Sequence, residues 1–102
     1  MALMQITIIP VGTASPSVGS YIAEIETLLR SKKVKHALED MGTVIHGTTE
    51  TLLKLALEIH NLPFQSGAKR VVTHITIDDR RDMERGMGDK KKSVLARIEQ
   101  ER

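Results

Sequence analysis

The sequence predicts an α+β fold: one domain over residues 1–102, with a four-stranded antiparallel sheet, two helices on one of its faces and an additional C-terminal helix. Three observations carry this. Four short runs rich in Ile, Val and Thr alternate with stretches in which apolar residues recur at helical spacing, in the order β-α-β-β-α-β. The two middle runs are separated only by a turn around Gly42, which makes them a hairpin. A chain of 102 residues, 40% of them apolar, suffices for one core.

The first strand is Met4–Ile9, an apolar run ended by Pro10-Val11-Gly12-Thr13. The first helix is expected to start at Ser15-Pro16, with Ser15 as cap and Pro16 in the first helical position, where its missing N–H is no loss. Tyr21, Ile22, Ile25, Leu28 and Leu29 form its apolar stripe. Arg30, Lys32 and Lys33 place positive charge where the helix dipole favours it. Residues 34–38 and 43–46 are the hairpin strands. Thr48 or Thr49 caps the second helix, Glu50 lies in its first turn, and Leu52, Leu53, Ala56, Leu57, Ile59, His60 and Phe64 are expected to face the core. Gly67 is its stop, and Pro63 should kink or shorten the last turn. Residues 71–77, β-branched at every position except His74, form the fourth strand. A charged turn, Asp78-Asp79-Arg80-Arg81-Asp82, leads to a short amphipathic helix over residues 89–101, with Val94, Leu95 and Ile98 on one side and Lys90, Lys91 and Lys92 solvated. This order is the split-βαβ, ferredoxin-like pattern.

Composition excludes several classes of function. Without cysteine there are no disulfides, thiolate metal sites or cysteine nucleophiles. A formal charge of +2, with one Tyr, one Phe and no Trp, gives neither the field nor the stacking rings that nucleic acid requires. No apolar run is long enough for a membrane span, and the first ten residues lack a signal peptide's basic start, so a cytoplasmic location is expected.

Candidate chemistry is sparse. His36 and His46 flank the hairpin turn symmetrically, in position to be cross-strand neighbours, and are expected as polar residues on an exposed ribbon; no carboxylates complete a metal set and no metal is expected. His60 and His74 are packing or interface residues. Ser15, Ser17 and Ser20 cluster without a base or a nucleophile elbow, and Gly12-Thr13 lacks the lysine of a phosphate loop. Without a triad, a carboxylate dyad or a metal set, the chain is not expected to be an enzyme.

Four segments together carry a family resemblance. They are Ile9-Pro10-Val11-Gly12-Thr13 with Ser15 and Tyr21; Met41-Gly42-Thr43; Glu58-Ile59-His60 with Gly67-Ala68 and Arg70-Val71; and Ile77-Asp78-Asp79-Arg80-Arg81-Asp82. In that order they resemble the thiamine-binding-protein family, small proteins similar to the repeated domain of the bacterial thiamine/hydroxymethylpyrimidine-binding protein YkoF. The resemblance implies a ferredoxin-like subunit in homodimers or homotetramers, no catalysis, and thiamine or its hydroxymethylpyrimidine moiety as ligand. Pro63 departs from the uninterrupted helix of the relatives.

The expected ligand site lies between the start of the first helix and the hairpin. Ser15, Ser17, Tyr21, Gly42 and Thr43 are its candidates: hydroxyls for the pyrimidine, Tyr21 as a flat wall, and Gly42 for close backbone approach. Glu39 joins them on charge alone, to offset the thiazolium cation. Asp78, Asp79, Arg80, Arg81 and Asp82 are expected to form ion pairs, locally or between subunits. Ile9, Val72, His74 and Thr76 form a mixed sheet face that two helices leave uncovered, which suits self-association. A rival expectation is an oligomeric regulatory domain holding an anion or small effector on Arg70, Arg80 and Arg81.

Overall fold

The computed structural model describes residues 1–13, 18–84 and 86–100. Its elements are β1 (Ala2–Pro10), α1 (Gly19–Lys32), β2 (Lys35–Glu39), β3 (Gly42–Gly47), α2 (Thr49–Gln65), β4 (Val71–Asp78) and α3 (Asp89–Gln100). The antiparallel sheet has the order β2-β3-β1-β4, so the long, apolar β1 is central and β2 and β4 are the edges. The α+β, ferredoxin-like architecture with a C-terminal helix is therefore as the sequence predicts.

β1 is longer at both ends than the expected run. It alternates strictly: Ala2, Met4, Ile6, Ile8 and Pro10 are buried and the residues between them are not. Directly paired residues share a face, so Met4, Ile45 and Ile77 lie on the buried side, with His36 of β2 opposite Ile45. α1 and α2 cover that side. Met4, Leu29, Ile45, Leu52 and Ile59 are completely enclosed at its centre. The open side carries Leu3, Gln5, Thr7 and Ile9 of β1 paired with Asp78, Thr76, His74 and Val72 of β4. The residues expected on an uncovered face thus share one.

α1 begins at Gly19 rather than at Pro16. Val18 is its N-cap and makes no side-chain capping bond. The expected cap Ser15 and first residue Pro16 lie outside the described residues, as does Ser17. Ile25 and Leu29 are buried and Ile22 and Leu28 half-buried, as the stripe predicts. The helix closes on Lys33 in the left-handed region (φ 56°), beside Arg30 and Lys32.

α2 opens on Thr48, whose hydroxyl accepts from the Thr51 amide at 3.2 Å, with Glu50 in the first turn. Its buried face is Leu52, Leu55, Ala56, Ile59 and Pro63, which corrects the expected set: Leu53 (53% exposed), Leu57 (63%) and Phe64 (41%) point outward, and Leu55 takes their place. The sheet claims a stripe narrower than the apolar content of this helix. Pro63 does not end α2, which continues to Gln65. The Ala68 amide reaches the Pro63 carbonyl at 2.9 Å and the Gly67 amide reaches the Phe64 carbonyl at 3.2 Å, with Gly67 at φ +99°. This is a Schellman ending in which Pro63 supplies a carbonyl. Its ring is packed in the core, so burial compensates the ladder bond it cannot make.

α3 buries none of its residues; Val94, Leu95 and Ile98 stay half exposed along one side.

A cavity between the first helix and the hairpin

A partly open cavity of ≈ 290 Å³ lies between the first turns of α1, the middle of β1 and the β2–β3 hairpin. Val18, Ile22 and Ile25 line it from the helix and residues 6–9 from β1. Residues 38–43, the whole turn, form its third wall. It exists because the hairpin is clamped to β1 at one end while α1 spans the sheet above it. The clamp is the Thr7 hydroxyl, which donates to the Met41 carbonyl at 2.9 Å. Gly42 permits it: a β-carbon there would stand 2.7 Å from Thr7 Oγ1 and 3.1 Å from the Ile6 carbonyl oxygen.

The lining is mostly aliphatic, with one buried hydroxyl, Thr43, on the floor and two exposed carboxylates, Glu39 and Asp40, at the rim. Leu38 (53% exposed) and Met41 (81%) stand at the mouth. Such an arrangement can take a small, flat, largely apolar ring with a hydrogen-bonding edge inward and a positive group outward.

Of the site residues expected from sequence, Glu39, Gly42 and Thr43 line this cavity together. Tyr21 does not. It faces a separate polar cleft with Gly12, Thr13, Ser66, Gly67, Ala68 and Lys69, because one helical position separates it from the Ile22 face. Ser15 and Ser17 fall outside the described residues. Sequence reasoning missed Ile22, Leu38 and Met41. Met41 was detectable, since a large apolar side chain in a two-residue hairpin turn, where polar residues are the rule, has no packing reason to be there.

From the cavity a groove runs between α1 and β2 to Glu26. Glu26 Oε1 lies 2.9 Å from His36 Nε2 and 3.2 Å from Arg30 Nε, while Oε2 is enclosed without a partner. His36 Nδ1 lies 2.9 Å from the Val34 carbonyl oxygen. A carbonyl and a carboxylate both only accept, so both contacts are satisfied together only by the doubly protonated ring. The Val34 carbonyl and then Glu26 hold its pKa above the ordinary 6.5. The His36 hydrogen bond, aided by Arg30 and opposed by burial, holds Glu26 below 4.5. His36 is therefore not the exposed neighbour of His46: the register pairs His46 with Lys35, which puts the two histidines on opposite faces.

The charged segment after β4 forms local pairs. Arg80 donates to Asp82 at 2.6 and 3.0 Å, and Arg81 to Asp79 at 2.9 and 3.2 Å. Asp79 also accepts from Thr49 at the start of α2 (3.0 Å), which ties the segment to that helix end. Arg81 and then Thr49 hold the Asp79 pKa below 3.8. His60 shares a 2.6 Å hydrogen bond with Thr73 and packs on Phe64, a structural role.

Residues 4–95 match the model of the thiamine-binding protein family. The chain belongs to that family. It is 46% identical over 98 residues to a UPF0045 protein of Staphylococcus xylosus, covering 92% of each chain. To the UPF0045 protein YqgV of Bacillus subtilis it is 42% identical, covering 92% of this chain and 94% of that one. Among solved structures it resembles hypothetical protein MJ1052 of Methanocaldococcus jannaschii, with a TM-score of 0.81 at 29% identity over 92% and 95% of the two chains. A candidate thiamine biosynthesis/salvage protein of Thermotoga maritima shares the fold, with a TM-score of 0.74 at 17% identity over 91% and 97%. Among the described residues no helix is long and apolar enough to cross a membrane, and no group of three or more His, Asp or Glu is placed to hold a metal ion.

Proposed function

We propose that this member of the thiamine-binding protein family is a non-catalytic, self-associating subunit. It takes thiamine or its hydroxymethylpyrimidine moiety into the cavity between α1 and the hairpin. The observation that carries the reading is the cavity's polarity: an aliphatic interior with a hydroxyl at its floor and carboxylates at its rim. The pyrimidine enters with its exocyclic amine toward Thr43, and the thiazolium stays at the mouth beside Glu39 and Asp40. Ile22, Leu38 and Met41 supply the walls that Tyr21 was expected to supply. Among the described residues no nucleophile and base stand together at the cavity, which supports a reading of binding rather than turnover.

An anionic effector is disfavoured on the same ground. The rim is acidic, and two of the three arginines expected to hold an anion (Arg70, Arg80 and Arg81), Arg80 and Arg81, are engaged by Asp82 and Asp79. The oligomer is a homodimer or homotetramer built on the open sheet face, in a cytoplasmic protein.

Calorimetric titration tests the reading. Thiamine and hydroxymethylpyrimidine should each bind at one site per chain, and inorganic phosphate should not. Thr43→Val should weaken both about tenfold, the loss of one hydrogen bond. Glu39→Gln should weaken thiamine and spare the neutral pyrimidine. Absence of heat with both ligands refutes the proposal.

A further inference from the structure

We propose that Glu26 and His36 form a proton-operated clasp that holds α1 against the edge strand β2 and so sets the width of the cavity. The function of the pair rests on where it sits. β2 is a short edge strand paired only with β3, and the groove separating it from α1 opens into the cavity, with Val18, Ile22, Leu38 and Glu39 lining both. Glu26 and His36 bridge the far end of that groove at 2.9 Å, with side chains 19% and 12% exposed.

The clasp has two states because of what each atom can do. With His36 doubly protonated, Nδ1–H donates to the Val34 carbonyl and Nε2–H to Glu26. When the ring loses a proton, one of its two nitrogens must present a lone pair to an oxygen that can only accept, so the neutral ring satisfies one of the two contacts and its charge no longer pairs with Glu26. Arg30, whose side chain is 77% exposed, is then the one cation beside Glu26, while its Oε2 is enclosed with nothing to accept from. A half-buried carboxylate with a weakened partner is stabilised by turning out to water, where Arg30 already is. The charged groups acting on His36 are Glu26 and Arg30, both from α1; across the ladder on β3 it meets Ile45. Ile25 and Leu29, buried in the core, keep α1 in place when the clasp opens, so the movement is a widening of the groove and not loss of the helix.

The device is read without ligand, by amide hydrogen exchange of residues 35–39 and 19–26 from pH 6 to 9, corrected for the intrinsic pH dependence of exchange. Wild type should lose protection at these amides in a one-proton transition above the ordinary histidine range, while α2 stays protected. Glu26→Gln, which preserves size and removes the charge, should move that transition to lower pH, and His36→Gln should abolish it. Identical profiles in wild type and Glu26→Gln, or a loss spread evenly over all elements, overturn the clasp. Thiamine affinity is a second reading, resting on the proposed function: it should fall through the same transition in wild type and stay flat in His36→Gln. A flat affinity with an intact exchange transition would remove the ligand from the cavity and leave the clasp standing.

Discussion

Thr7 and Gly42 lock the hairpin to the central strand: the Thr7 hydroxyl holds the Met41 carbonyl, and 2.7 Å is all that separates its oxygen from the place of a β-carbon on Gly42. Gly42→Ala should therefore cost about 1–3 kcal/mol, the range for overpacking. The loss should shrink when Thr7→Ala is added, because the shared clash is gone. Urea unfolding of the two single variants and the double variant measures this coupling.

Leu52 and Leu53 are neighbours in sequence with opposite fates, 0% and 53% exposed. Leu52→Ala should destabilise by about 2–5 kcal/mol through the lost contacts and the cavity left behind. Leu53→Ala should stay within about 0.5 kcal/mol in the unassembled chain. Thermal or denaturant unfolding distinguishes them.

Stability should depend on pH through the Glu26–His36 pair in a definite sense. The folded His36 pKa is raised, so its contribution is complete below the unfolded value of 6.5 and disappears as pH rises through the folded value. The folded Glu26 pKa is lowered, so its contribution is complete above 4.5 and disappears as pH falls through the folded value. Melting temperature should thus be highest between the two, and His36→Gln should flatten the alkaline limb. A wild-type limb unchanged by that substitution would contradict the assignment.

Asp79 and Arg81 are paired, but unequally committed. Asp79 is held by both Arg81 and Thr49, whereas the Arg81 side chain is 83% exposed and loses only an exposed pair when truncated. Asp79→Ala should lower the melting temperature of the chain more than Arg81→Ala. Thiamine affinity, measured by calorimetry, should be unchanged in Arg81→Ala. If the segment meets its copy across a twofold axis, Arg81→Ala lowers assembly in sedimentation.

The open sheet face should be the assembly face. Ile9 is 43% exposed and is paired with Val72 on that face. Sedimentation should find dimers or tetramers at micromolar concentration, and Val72→Lys should shift them toward monomer by burying an unpaired charge. A wild-type monomer at that concentration contradicts self-association.

The fold was legible because its signals are local: alternation in β1, helical spacing in α1, the Thr48 cap, and β-branching through β4. What was lost depends on contacts between elements. The sequence cannot show that the sheet claims Leu55 and leaves out Leu53 and Leu57, since all lie in one apolar run. Pro63 reads as a breaker until its carbonyl is seen closing the Schellman ending. At the site, Glu39, Gly42 and Thr43 were legible because the hairpin keeps them together by sequence alone. Tyr21 was misplaced by one helical position, which turns a side chain by about a quarter of the helix circumference. Glu26 and His36, ten residues apart on different elements, become partners only through the packing of α1 on the sheet.

The central claim, that the cavity between α1 and the hairpin is the ligand site, is tested most directly by mapping backbone amide shifts during a titration with thiamine. Shifts should gather at residues 6–9, 18–25 and 38–43. Shifts gathered instead around Thr13, Tyr21 and Lys69, or none at saturating thiamine, would contradict it.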